Sequence, residues 1–567
     1  MPKINIQSRK DIQLNSKSYI WNTILLGLVF CLVMMLTTAT KNMGSEFALG
    51  SPQHISLATS ALPGYALRSV TRMFYALLLS LFATLTLGTL AAKSKYAERI
   101  IIPLIDILQS IPILGFLSIC IPLFLHLFPN SLWGPECAAI ITIFTSQVWN
   151  MILSFYQSLK TVPKNMQEVA KIFQLNNWQK FWRIEVPFAM PGLLWNTMLS
   201  LSAGWFFVVG SEAFIYNGSE ILLPGIGSFI AKAVDLSDSA ALYKAVLTML
   251  IIITIYDQLI FRPMIAWAQK FNLSGDHRSS QSSWLLTLLG KSSIWRIFNY
   301  LDFNTKKTSK YKFYNKYQIN PKVKNHIWQV FVLFAGLLLL VLAKNYLFQT
   351  LVFSKVVHVI TLGAWTMLRV FFMILVCCFI WVPIGVYIGL RPGLALKVQP
   401  FIQFLAAFPT NLLFPFMIGL IIKYNLNINI WAAPLLVLGT QWYILFNVIA
   451  GTMSLSEDLH DIAAILKVRD LLWWRKLIIP GIFPHLLTGV ISAAGGAWNA
   501  SILAEALSWG NNNYYADGLG AFITYTQKNG QVDDMALGII VMCAYVLLIN
   551  RLIWQPLYRL SQKRFTD

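Results

Sequence analysis

Charged side chains inside apolar sequence are the residues of this chain best placed to do chemistry. Arg72 and Arg369 each stand about eight residues into a strongly apolar run, which at ~1.5 Å per residue puts them well below the membrane surface where those runs begin. Glu212 and Glu505 close two other apolar runs. An intramembrane charge marks a function by default. Two readings are open for each pair. The arginines either attract an anion or extend to lipid headgroups, and the glutamates either line a path or hydrogen-bond the glycine-containing loop that follows each. Gln147, Asn150, Trp205, Trp498 and Asn499 either line a cavity with these charges or pack between helices.

No constellation for bond chemistry accompanies them. Cys31, Cys120, Cys137, Cys377, Cys378 and Cys543 form no C-x-x-C pair, and the seven histidines are scattered without metal-ligand spacing. The phosphate-binding pattern G-x4-G-K-[ST] is absent; Gly290, Lys291 and Ser292 imitate only its tail. The expectation is a chain with no catalytic residue, no metal site and no cofactor of its own.

The elements that carry these residues are membrane spans. Of 567 residues 57% are hydrophobic and 12% charged, against roughly 25% charged in soluble domains. Apolar runs near the ~20 residues that cross a bilayer recur throughout. The net charge of +21 follows from Lys and Arg gathered on one side of the spans, as cytoplasmic loops require, and does not indicate nucleic acid. An uncleaved first span is expected over residues 19–40, followed by spans near 64–92, 111–128, 136–159, 188–213 and 240–262. Residues 270–325, rich in lysine, read as a cytoplasmic linker against anionic headgroups. Six spans return the chain to the side where it began, so both termini are expected in the cytoplasm.

The second half repeats the first. Arg72, Gly88, Pro103 and Pro112 match Arg369, Gly385, Pro400 and Pro409 at an offset of 297. Pro187, Trp205, Glu212, Gly225, Gly227 and Pro263 match Pro480, Trp498, Glu505, Gly518, Gly520 and Pro556 at an offset of 293. The expected fold is therefore an all-α polytopic membrane protein of about 12 transmembrane helices in two parallel six-helix repeats. Its divisions are a first domain over 1–269, the linker over 270–325 and a second domain over 326–567.

Two polar interruptions share that repeat, EVAKIFQLNNWQKFWRIEVP from Glu168 to Pro187 and DIAAILKVRDLLWWRKLIIP from Asp461 to Pro480. They resemble the cytoplasmic signature E-A-A-x3-G-x9-I-x-L-P of type I ABC importer permeases, through Glu168, Ala170, Ile184 and Pro187 in one copy and Asp461, Ala463, Leu477 and Pro480 in the other. Both depart at the glycine, which is Gln174 and Lys467, a departure that bears on the tight turn between two short helices. The later P-x3-P-G and G-x-G elements are similar to the nitrate, sulfonate, taurine and bicarbonate branch. The resemblance implies two permease domains fused in one chain of a bacterial inner membrane. Two ATPase subunits that bind ATP and Mg would dock on the loops, an extracytoplasmic solute-binding protein would dock opposite, and the solute would be a small anion. In the loops, Glu168 and Asp461 are expected in the first turns of their helices, where an acid complements the helix dipole or pairs with a partner's base. The other class that a 6+6 repeat admits is an ion- or proton-coupled secondary transporter.

Overall fold

The computed structural model describes residues 34, 37, 38, 40, 41, 43–47, 55–109, 112–216, 219–264, 353–455, 457–468, 470–510, 512–557 and 560–561. Most of the expected first span and the whole basic linker lie outside the described residues.

The first half runs α1 (Thr59–Lys93), α2 (Lys95–Leu108), α3 (Ile113–Leu127), α4 (Trp133–Lys160), α5 (Lys164–Ile172) and α6 (Asn177–Glu212). An antiparallel hairpin of β1 (Ala213–Tyr216) and β2 (Ser219–Leu222) leads to α7 (Ile226–Asp235) and α8 (Ser239–Met264). The second half repeats this order: α9 (Phe353–Gly389), α10 (Pro392–Ala407), α11 (Phe414–Lys423), α12 (Ile428–Val437), α13 (Gln441–Met453), α14 (Glu457–Ile465), α15 (Asp470–Ala504), β3 (Ala506–Trp509), β4 (Asn512–Tyr515), α16 (Leu519–Lys528) and α17 (Val532–Leu557). Seven of the described helices are long and apolar enough to cross a membrane, or nine spans if each of two bent pairs counts as one. The fold is thus helical, and the loops expected after Glu212 and Glu505 are short β-hairpins.

Prolines set the breaks. Pro112 starts α3, and its counterpart Pro409 lies at a 75° bend between Phe401–Ala407 and Thr410–Lys423. A proline also stands two residues beyond each of four wide turns in which an amide reaches back five residues. These are Val186 to Phe181 before Pro187, Ile479 to Trp474 before Pro480, Arg262 to Asp257 before Pro263, and Gln555 to Asn550 before Pro556. A proline ring has no N–H and crowds the carbonyl four residues back, and the extra residue per turn relieves that crowding without ending the helix.

The main core of the first half surrounds α6, with Leu193, Leu201, Trp205 and Val208 against Met151 and Phe155 of α4, Met73 and Ala76 of α1 and Met249 and Ile253 of α8. The two halves also touch at related points. Asn411 Nδ2 donates to the Phe206 carbonyl at 3.0 Å, and the Ile113 amide donates to Asn499 Oδ1 at 2.6 Å. Phe206 and Asn499 are themselves matched positions of α6 and α15, so each proline break docks on the same place of the opposite half.

Candidate functional site

The polar loops form an exposed crest at one end of each half. Pro163 precedes α5, and its fixed φ favours starting a helix there. The nine-residue helix therefore begins four residues before Glu168, which stands mid-helix and exposed; Asp461 holds the same place in α14. Neither acid is in a first turn, so the helix-dipole expectation is corrected and both side chains are left facing solvent. Ala170 and Ala463 face inward at 3% and 7% exposure. Around them Val169, Ile172, Phe173 and Trp178 are exposed, and so are their matched residues Ile462, Ile465, Leu466 and Leu471. Two apolar crests of one pattern, uncovered among the described residues, have the surface composition of docking sites.

The turn after each short helix survives the loss of glycine. Gln174 has φ +48° and Lys467 has φ +52°, both in the left-handed region that glycine favours. Leu175 donates to the Ala170 carbonyl at 3.0 Å and Gln174 to Lys171 at 3.0 Å, closing the helix in the double-bonded manner of a glycine cap. Val468 does the same to Ala463 at 2.9 Å. The next helix of the first copy opens on Asn176, whose Oδ1 accepts from the Gln179 amide at 2.7 Å while Gln179 Oε1 accepts from the Asn176 amide at 3.2 Å. The crest is anchored behind by Lys93, 2.7 Å from Glu185 and over the Phe181 ring at 4.9 Å, and by Glu98, bonded to Lys160 at 2.8 Å and to Tyr156 at 2.5 Å. The Lys160 and Tyr156 hydrogen bonds hold the Glu98 carboxyl below its ordinary pKa.

Toward the opposite end the intramembrane charges meet one another. Arg72 is fully buried and grips Glu136 with Nε and Nη2 at 2.5 and 2.7 Å and Glu212 with Nη1 at 2.6 Å. Glu212 also accepts from Ser69 at 2.5 Å and from the Gly227 amide at 2.6 Å, while Ser69 Oγ accepts from the Ile226 amide at 3.1 Å. The carboxylate and hydroxyl thereby satisfy orphan amides at the start of α7. A Cβ on Gly225 would collide with the Glu212 carboxylate, which accounts for the glycine in that position. The second half repeats the arrangement: Arg369 to Glu505 at 2.8 Å, Thr366 to Glu505 at 2.9 Å, the Gly520 amide to Glu505 at 2.8 Å and the Leu519 amide to Thr366 at 2.9 Å. Asn429 replaces Glu136, accepting from Arg369 through its carbonyl at 3.0 Å and its Oδ1 at 3.2 Å.

The remaining candidates are distributed among the spans. Gln147 is buried with Nε2 3.1 Å from Met73 Sδ. Trp205 is buried edge-on to Tyr256 at 5.5 Å, and Trp498 stacks on Tyr545 at 6.0 Å. Asn499 bridges the halves through Ile113, and Asn150 is exposed.

Between the halves, at the hairpin end, lies a cavity of about 610 Å³. Apolar groups of α6, α11, α15 and both hairpins supply most of its wall. Its polar residues include Asn411, Glu220, Asp235, Asn513, Gln527 and Lys528. Sequence reasoning missed all six, together with Ser69, Glu136, Thr366 and Asn429. The repeat offsets hold the signal, because Ser69 pairs with Thr366, Glu136 with Asn429, Glu220 with Asn513 and Asp235 with Lys528. Burial raises the carboxyl pKa of Glu220, with Asp235 adding to it, and burial raises that of Asp235. Burial lowers that of the Lys528 ammonium, against the pull of the two acids.

Comparison with known proteins bears on both ends. Residues 84–261 and 381–566 each match the model of the binding-protein-dependent transport system inner membrane component. The bicarbonate transport system permease protein CmpB of Synechococcus elongatus is 27% identical over 179 residues, covering 31% of this chain and 61% of the relative. The nitrate import permease protein NrtB of Synechocystis is 25% identical over 169 residues, 30% of this chain and 56% of the relative. A putative aliphatic sulfonates transport permease protein SsuC of Bacillus subtilis is 23% identical over 218 residues, 38% and 74%. The chain thus spans less than two thirds of the length of the first two relatives.

Proposed function

Because the chain belongs to the family of binding-protein-dependent transport system inner membrane components, a family of permeases rather than enzymes, we propose that it joins both permease domains of a type I ABC importer in one polypeptide. The domains are read as 1–269 and 326–567 with the basic linker between them, six spans each, and both termini in the cytoplasm.

The observation that carries this reading is the pair of crests. Each offers exposed apolar side chains beside an exposed acid, Glu168 or Asp461, on a short helix closed by the same left-handed turn. Each suits the groove of an ATPase subunit that supplies the ATP and Mg chemistry this chain lacks. Drawing the two ATPases together moves the crests, and through α6 and α15 the hairpin end, so that a path between the halves opens alternately to either side. Arg72, Glu212, Arg369 and Glu505 flank that path as braces. Trp205, Trp498 and Asn499 lie on the helices that pass it, with Gln147 and Asn150 behind. A solute-binding protein docks at the hairpin end. The solute is small and anion-bearing, in keeping with the bicarbonate, nitrate and sulfonate named for the relatives.

Reconstitution tests the reading. The chain co-expressed with an ABC ATPase should capture it and support ATP-driven uptake in proteoliposomes, while ion gradients alone drive none. Uptake driven by a proton or sodium gradient without an ATPase would overturn it.

A further inference from the structure

The two crests share their apolar pattern but not their charge. At the offset of 293, Val169, Ile172 and Phe173 correspond to Ile462, Ile465 and Leu466, and all six are exposed. Around that stripe α5 carries Lys164, Lys171 and Glu168, whereas α14 carries Glu457, Asp458 and Asp461 and no lysine or arginine. Lys164 stands where the second copy has Glu457, Asn165 where it has Asp458, and Lys171 where it has Ala464. The turns narrow the contrast without reversing it. Lys467, Arg469 and Asp470 add one positive charge to the second crest, while Gln174, Asn176 and Asn177 add none to the first.

Folding does not account for the difference. Acids in the first turn of α14 and Lys171 in the last turn of α5 complement the helix dipole, but Lys164 occupies the first turn of α5, where a positive charge opposes it. Lys164, Lys171, Asp458 and Asp461 are exposed, and none makes an ion pair with another described residue. Their charges face outward, toward whatever covers the apolar stripe.

We infer that the chain docks two non-identical ATPase subunits, one whose groove has an acidic rim over α5 and one whose groove has a basic rim over α14. The inference rests on the reading of the crests as ATPase docking sites. An interface draws affinity from its apolar centre, and the charges of its rim choose between partners and suppress wrong ones. An acidic rim attracts Lys164 and Lys171 and repels Asp458 and Asp461; a basic rim does the reverse. One groove therefore cannot complement both crests, and the like charges met at the wrong crest supply the repulsive element that specificity needs. Glu168 and Asp461 occupy matched positions, so this acid does not discriminate; the lysines and the first-turn acids do.

The test places the photo-crosslinking residue p-benzoylphenylalanine at Ile172 or at Ile465 of the full chain in its host cell and identifies each crosslinked polypeptide by mass spectrometry. Two different ABC ATPase sequences are expected, one at each site. Lys164→Glu with Asn165→Asp and Lys171→Ala gives the first helix the residues of the second at those positions. In that variant the yield at Ile172 is expected to shift at least ~10-fold toward the ATPase captured at Ile465, while an unchanged product at Ile465 reports that the chain is folded. The same ATPase at both sites, an ATPase at one site alone, or an unshifted yield in the charge variant overturns the inference and leaves the permease reading standing. No ABC ATPase at either site overturns both.

Discussion

Arg72 Nη1 lies 2.6 Å from Glu212 Oε1 although 140 residues separate them, and the same guanidinium holds Glu136 with two further bonds. Removing one member of a buried ion pair strands the others, at about 3–5 kcal/mol. Arg72→Gln is therefore expected to lower stability by that order. Arg369→Gln should cost less than Arg72→Gln, because neutral Asn429 stands where Glu136 stands and only Glu505 loses a charge partner. Thermal unfolding of the two variants in detergent measures both, and equal costs would contradict the difference.

The left-handed turns at Gln174 and Lys467 give a second expectation. A non-glycine residue in this region carries a backbone penalty of about 1 kcal/mol. Gln174→Gly with Lys467→Gly should keep ATPase capture intact, whereas Gln174→Val with Lys467→Val should weaken the elbow. Hydrogen exchange at the Leu175 and Val468 amides, which close the turns, reads this directly.

Charge on the crests should separate docking from folding. Ile172 and Ile465 are 76% and 77% exposed, so aspartate at both sites removes no core contact. The double variant Ile172→Asp with Ile465→Asp is expected to bind the ATPase at least ~10-fold more weakly, about 1.4 kcal/mol, with an unchanged melting temperature. Normal capture in a pull-down would remove the crests from the interface.

The mouth of the cavity should respond to pH. Burial holds Glu220 and Asp235 above the ordinary carboxyl range, Lys232 and Lys528 opposing it. A raised carboxyl takes up its proton at a higher pH than usual, so the negative charge of the wall fades as the external pH falls through that raised value. Solute binding at this mouth should accordingly change as the pH falls through that raised value, and the change should vanish in Glu220→Gln with Asp235→Asn. A titration of solute binding on both proteins decides it.

Much of this was legible in the sequence because duplication repeats its own spacing. The offsets paired Arg72 with Arg369 and Glu212 with Glu505, and the alternation of apolar runs with Pro187 and Pro480 located the polar crests. What they could not convey was that the pairs meet, since 140 residues of chain separate arginine from glutamate. Glu136 lies in the first turn of α4, where an acid ordinarily complements the helix dipole, so its position alone does not signal an arginine partner. The missing glycine suggested an altered turn, but φ at Gln174 and Lys467 is set by the hydrogen bonds that close the helix, and those override residue preference. The hairpins after Glu212 and Glu505 leave no signal in the sequence, because four residues per strand are too few for an alternating pattern.

The unlike pairs Glu220 with Asn513 and Asp235 with Lys528 have a consequence for assembly. Two copies of the first half brought together would ring the mouth with four acids; two copies of the second would ring it with amides and lysines. Only an unlike pair makes a mouth with two poles. A single polypeptide guarantees that pairing at the ribosome, so stoichiometry and handedness need no recognition step between separate subunits. It also frees each half to drift, since a substitution in one is not automatically copied into the other.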